Sequence, residues 1–259
     1  MNRQSKPAAA FLKNLLCASV LGACGVLAAP AQAALLTFDA AQNVVTPVLN
    51  AGDTAYNTGD AFTEGLFTLQ VLNNPTAAAD EYGAVGAMID SDNAMACTLT
   101  ACPVGNGSVY FGGLNDGWLN ITIAGAAGFR VAGLDYAFIA PLAGLQDFSY
   151  GRLMLTGTTA DGSIITTGAD FPGQNLDGRF VFDAFMVDSA FRSTTLTSLA
   201  IGACLFDGNG DCVFERELVQ NQAQFAIDDL NLNVIPEPSS YALMLLGIAG
   251  LAAFSRRRA

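Results

Sequence analysis

The stretch Trp118-Leu-Asn-Ile-Thr-Ile123 alternates apolar and polar residues, the two-residue period of a half-buried strand. It is one of several short runs rich in Val, Ile, Thr and Phe that turn residues separate, while helix-forming runs are scarce. Similar runs occupy residues 35–39, 65–72, 129–139, 196–205 and 224–233. In LMLTGTTADGSIITTG, Leu153 and Leu155 lead to Asp161-Gly162, where a glycine accepts positive φ, and Ile164-Ile165-Thr166 returns. Residues 73–95, with Asn-Asn-Pro and Asp-Ser-Asp-Asn, read as loop, and 180–187 read equally as strand or short helix. Strands with turn signals about every ten residues predict an all-β, jelly-roll-like β-sandwich over residues 34–234, one domain with a substantial core.

Both ends of the chain break this pattern. Arg3, Lys6 and Lys13 precede an apolar run at 15–29, and Ala31-Gln32-Ala33 offers small residues at both positions that signal peptidase inspects. A cleaved signal peptide over residues 1–33 is expected. Leu21-Gly22-Ala23-Cys24 is the weaker alternative, a loose lipoprotein box. At the other end, Pro236 and Pro238 bracket Glu237 in an extended stretch. A 14-residue apolar run at 241–254 and Arg256, Arg257 and Arg258 follow. A stable span wants about 20 apolar residues, so this single-span helix reads as a temporary anchor, its arginines on the cytoplasmic side.

Between the two ends lie five arginines against 22 acidic residues, net −17, with no lysine and no histidine. Such a body repels phosphate backbones and anionic headgroups, which excludes nucleic acid as a partner. Neutral polysaccharide and divalent cations stay compatible. Without histidine there is no Ser-His-Asp or Cys-His device and no His-based zinc site. Without lysine there is no Schiff base. Carboxylate pairs drawn from Glu64, Glu81, Glu215 and Glu217 with nearby aspartates leave one enzymatic alternative, a secreted glycan-active enzyme. A non-enzymatic product is the main expectation.

Cys97, Cys102, Cys204 and Cys212 remain after export, and an even number in an oxidising compartment favours disulfides. Of the three pairings, Cys97–Cys102 with Cys204–Cys212 is preferred, since each closes a short loop rich in Gly, Asn or Pro. Within the second loop, Asp207, Asn209 and Asp211 place oxygen ligands at alternate positions, as a calcium loop begins. The full pattern fails, with Leu218 at position twelve, so a disulfide-clamped turn is favoured over a structural calcium ion. Asp39 with Asp228 or Asp229 is a second cation candidate, if the first and last strands lie side by side. Simple alternation puts Phe225, Ile227 and Asp229 on one face of the last strand and Asp228 on the other. Tyr110, Phe111 and Trp118 read as core packing rather than a sugar-stacking platform.

The order Pro236-Glu237-Pro238, apolar run, arginine cluster resembles the PEP-CTERM sorting signal of Gram-negative bacteria. The resemblance implies export across the inner membrane, transient anchoring there, and recognition by the membrane protease exosortase. Release or transfer to the cell surface or extracellular space would follow, in association with exopolysaccharide and biofilm. Gln224, Phe225 and Asp228 in QFAIDDLNLNV, together with LLTFDA, GGLNDGW and the paired cysteines, are similar to a subgroup marked by Gln-Phe-x-x-Asp. For a bacterial protein the acceptor-like triplets at Asn106 and Asn120 are incidental. Intact-mass measurement of the exported form should show a chain that begins at Ala34 and lacks Arg256–Arg258. A surface form that keeps those arginines would overturn the reading of both ends.

Overall fold

The computed structural model describes residues 32–43, 54–74, 84–90, 97, 100–213, 223–237 and 247–248. The chain divides into two compact units, Gln32–Ile235 and a second one made of Met1–Ala31 with Pro236–Ala259. Of the second unit only 236–237 and 247–248 are described. The signal peptide before Gln32, Pro238, Arg256, Arg257 and Arg258, nearly all of the apolar run, Glu81, Glu215 and Glu217 lie outside the described residues. No helix among the described residues is long and apolar enough to cross a membrane.

The larger unit is built from strands. In chain order these are β1 (Gln32–Leu36), β2 (Gln42–Asn43), β3 (Thr54–Asn57), β4 (Ala61–Glu64) and β5 (Phe67–Asn73). Then come β6 (Ala84–Asp90), β7 (Val109–Gly113), β8 (Gly117–Ile123), β9 (Gly128–Phe138) and β10 (Gly151–Thr158). The rest are β11 (Ile164–Asp170), β12 (Asp183–Met186), β13 (Ser198–Phe206), β14 (Cys212–Val213) and β15 (Phe225–Ile235). One short helix, α1 (Ser189–Ser193), follows β12, with the Asp188 carboxylate capping the Phe191 N–H at 2.9 Å.

The strands form two sheets packed as a sandwich. The seven-stranded sheet runs β12-β9-β15-β7-β6-β3, with β1 also on β15. The eight-stranded sheet runs β11-β10-β13-β8-β5-β4-β2, with β14 on β13. First and last strands are neighbours, Leu36 opposite Leu230 and Gln32 opposite Val234. Cleavage before Ala34 would remove two of these five pairs and leave three. Between the sheets, Phe62, Phe67, Phe111, Phe129, Phe138 and Phe225 are fully buried, each contributing about 2–3 kcal/mol relative to an exposed ring. A second apolar cluster covers the outer face of the seven-stranded sheet. There Ile89, Tyr110, Ala137 and Ala226 meet Cys102, and the Tyr110 ring packs edge-on against Phe182 at 5.2 Å.

Residues 84–90, expected as loop, form β6, a correction with a physical cause. Met88 faces the inter-sheet core while Ala87 and Ile89 belong to the second cluster. A strand covered on both faces shows no apolar–polar alternation to read. The undecided segment 180–187 holds the strand β12, and the helix starts only beyond it. In β15 the expected alternation also fails. Asp229 adopts φ 47° and the register against β9 slips between Asp228 and Asn231. This bulge moves Asp229 out to solvent and hands the inward positions to Leu230, Leu232 and Val234.

The step from one sheet to the other is made by Leu114-Asn115-Asp116-Gly117. Asn115 (φ 50°) and Asp116 (φ 60°) are both left-handed, and the Gly117 N–H donates to the Leu114 carbonyl at 2.8 Å. This is the geometry of a type I′ turn. A Cβ on Gly117 would collide with the Val85 carbonyl oxygen, which itself accepts from the Leu114 N–H at 3.0 Å. Gly117→Ala should therefore cost about 3 kcal/mol, read as a fall in denaturation midpoint. An unchanged midpoint would show that the β7–β8 crossing tolerates backbone displacement.

Candidate functional site

The sequence-predicted residues separate into those that hold the scaffold and those on an open face. Cys97 is bonded to Cys102 and Cys204 to Cys212, as preferred. The first bridge pins the segment that caps the outer cluster of the seven-stranded sheet, and the second closes the β13–β14 hairpin. Within that hairpin Asp207 acts as a turn acceptor. Its carboxylate takes the Asn209 N–H at 2.8 Å and the Asp211 N–H at 2.9 Å, and these hydrogen bonds hold its pKa below the usual carboxylate value. Among the described residues no group of three or more His, Cys, Asp or Glu is arranged to hold a metal ion.

Asp39 and Asp228 grip one short segment. Asp228 Oδ2 accepts from Asn106 Nδ2 at 2.8 Å and Ser108 Oγ at 2.7 Å, and Asp39 Oδ1 accepts the Val109 N–H at 3.1 Å. The acceptor-like Asn106 thus has a structural partner. Gln224, Phe225 and Asp228 are all buried. Burial pushes the Asp228 carboxyl up to about 6, against the opposing pull of the Ser108 and Asn106 hydrogen bonds. Glu64 is likewise committed, its two oxygens accepting the Thr37 and Phe38 N–H groups at 3.0 Å each.

Tyr110 and Phe111 are core residues, in the outer and inter-sheet clusters respectively. Trp118 is not, which corrects the expectation of core packing. Leu119 and Ile121 point inward, so Trp118, Asn120 and Thr122 stand on the outer face of the eight-stranded sheet. The half-buried indole lies over Gly202 of β13, where any Cβ would enter the ring. This face is ordered in rows across the strands. One row holds Gly168, Met154, Gly202, Trp118 and Leu72. The next holds Thr166, Thr156, Ala200, Asn120, Gln70 and Ala61. The third holds Ile164, Thr158, Ser198, Thr122, Thr68 and Thr63. None of these residues is charged. In the row beyond Met154, Arg152 and Asp170 pair at 2.6 Å and cancel each other.

A concavity of about 470 Å³ lies beside the Cys97–Cys102 bridge, lined by Leu142, Leu145, Gln174, Asp177, Arg179 and Phe180 among others. Gln174 Nε2 ties its two loops together by donating to the Leu145 carbonyl at 2.9 Å. Leu142 and Leu176 are exposed in these loops. Its size suits a small ligand, and Asp177 is its single carboxylate among the lining residues.

Residues 234–259 match the PEP-CTERM protein-sorting motif. That motif implies an exported protein, sorted by exosortase through the membrane toward the cell envelope or surface. No curated protein matches the chain. Among solved structures, TmCBM61 in complex with beta-1,4-galactotriose is similar at 9% identity and TM-score 0.32, over 65% of this chain and 88% of that one. The Clostridium thermocellum xylanase 10B CBM22-1-GH10 modules complexed with xylohexaose are similar at 9% identity and TM-score 0.29. That match covers 80% of this chain and 29% of the other.

The Asp228 carboxyl gives this scaffold a pH signature. Its folded pKa is raised, so the stability it contributes is complete below the ordinary carboxylate value and is lost as pH rises through about 6. Relative to Asp228→Asn, the native protein should gain about 1 kcal/mol on going from neutral pH to about pH 5. Denaturation midpoints that respond equally to pH in both proteins would remove Asp228 as the cause.

Proposed function

We propose that this chain is a non-enzymatic structural or adhesive protein that exosortase delivers to the surface or matrix of a Gram-negative bacterium. There its jelly-roll-like sandwich contacts the extracellular polysaccharide of a biofilm. We assign it to the Gln-Phe-x-x-Asp subgroup; in this chain the motif acts as a structural lock. Gln224 and Phe225 are buried in β15 and its approach, and Asp228 holds the Asn106–Ser108 segment.

One observation carries the non-enzymatic reading. Three described carboxylates at the expected positions are occupied by protein donors: Glu64 by two backbone N–H groups, Asp207 by its own turn, Asp228 by Asn106 and Ser108. Glycoside hydrolysis needs two carboxyl groups facing one another across a bound sugar, one acting as acid and the other as base or nucleophile. A carboxylate committed to backbone donors is neither free to shuttle protons nor open to substrate. The 470 Å³ cleft brings only Asp177.

The exported protein should bind polysaccharide and release no reducing sugar from it on prolonged incubation. Turnover abolished by substituting Glu81, Glu215 or Glu217 would replace this reading with a carboxylate-dependent glycan-active enzyme.

A further inference from the structure

We infer that the outer face of the eight-stranded sheet is the contact surface, and that its ligand is an uncharged polysaccharide. This deepens, and rests on, the adhesive reading above. The body carries 22 acidic residues against five arginines, yet three successive rows across this sheet contain no charge at all. A net charge of −17 that leaves three rows of this face bare, with only the self-cancelling Arg152–Asp170 pair in the row beside them, makes those rows suited to a partner with no charge to pair. A polyanion approaching it would still meet the field of the surrounding acids.

The chemistry of the face fits a sugar chain. Beside the apolar Met154, Trp118, Leu72 and Ile164, its outward groups are hydroxyls and amides, Thr156, Thr158, Thr122, Thr68, Asn120 and Gln70, each able to donate and to accept. Sugar hydroxyls have the same dual capacity, so bonds can form without burying an unmatched donor or acceptor. Relief is supplied by β13. Its outward residues Ser198, Ala200 and Gly202 are small, while β10 and β8 on either side carry Thr158, Thr156 and Met154, and Thr122, Asn120 and Trp118. The result is a shallow trough one strand wide, with polar walls beside Ser198 and Ala200, and Met154 and the Trp118 indole flanking Gly202 at one end. The row from Ile164 to Gln42 crosses seven strands, a width of about 29 Å at the usual strand spacing. Several sugar rings can lie on such a surface.

The test is affinity electrophoresis of the exported protein in gels containing dextran, glucomannan or polygalacturonate, at low and at high salt. At least one neutral polymer should retard migration, equally at both salt concentrations, and polygalacturonate should not. Ala200→Asp should weaken neutral binding at least about tenfold by placing an unpaired charge in the trough. Should that variant fail to fold, Thr122→Val with Thr156→Val keeps the β-branched shape and removes two hydroxyls, and should weaken binding in the same direction. Arg179→Gln, at the separate cleft, should change nothing. Preferential retardation by polygalacturonate, no retardation by either neutral polymer, or neutral binding that survives both kinds of face substitution overturns the inference. Loss of binding in Arg179→Gln alone would move the contact to the cleft and leave the adhesive reading standing. Reducing-sugar release would instead remove that reading.

Discussion

The pairing of β15 governs the larger unit. This strand is the last of the sandwich in sequence and lies deep inside its sheet, held by β9 along its whole length. On its other edge β7 takes the first half and β1 the second. Its inward residues Phe225, Ile227, Leu230, Leu232 and Val234 reach the inter-sheet core, and Asp228 anchors the segment before β7. A sheet whose interior strand arrives last depends on contacts between residues far apart in sequence, so folding cannot finish until the whole body is available. That order suits a chain that crosses a membrane before it folds. Pro236, which has no N–H for a ladder, directly follows the last residue of β15. The Pro236-Glu237-Pro238 core of the sorting motif therefore begins where the pairing stops, and the matched stretch 234–259 overlaps the last two paired residues.

The bulge at Asp229 reconciles two demands on this strand. Phe225 and Ile227 sit on the core face at odd positions, whereas Leu230, Leu232 and Val234 reach it at even ones. Without an inserted residue, one set would have to face outward and Asp228 would lose its position opposite Asn106 and Ser108. The left-handed Asp229 takes up the extra residue and leaves both sets buried. The phase change is visible in FAIDDLNLNV to a reader who counts parity on both sides of the double aspartate. Extending a single alternation through it assigns Asp229 to the wrong face.

Much of the fold was legible because its signals are local. The Asp161-Gly162 hairpin forms, with Gly162 at φ 83° and the Asp161 carboxylate accepting from Ser163 N–H and Thr159 Oγ1. The alternation of β8 and the two short-loop disulfides also follow from neighbours in sequence. What escaped depends on partners distant in sequence. The strand β6 is covered on both sides by segments its own residues do not announce. The outward position of Trp118 turns on which half of an alternating run faces the core, and that is decided by Phe67, Leu69 and Val71 in the paired strand β5. The uncharged face was legible from no single segment, since it exists only once six or seven strands are laid side by side.

The two outer faces of the sandwich are treated differently, and the difference follows from where the acids are placed. The seven-stranded sheet closes its outer side with the second apolar cluster and keeps aspartates close together there. Burial, with Asp229 and Asp183 nearby, raises the pKa of Asp135, and burial does the same to Asp228. Elsewhere Asp161, Asp188 and Asp207 serve turns and a helix start, where hydrogen bonds favour the ionised form and lower their pKa. Placing carboxylates at turns and strand ends lets a strongly acidic chain keep its charge without pairing it with lysine. Repulsion is then spread over the rim, and the middle rows of the eight-stranded sheet are free to present hydroxyl, amide, small and apolar groups without charge. On a chain with this net charge, such a face is a consequence of the turn chemistry as much as of the strands: Asp161 and Asp207, in the β10–β11 and β13–β14 turns, carry charge that the three middle rows of the sheet leave out.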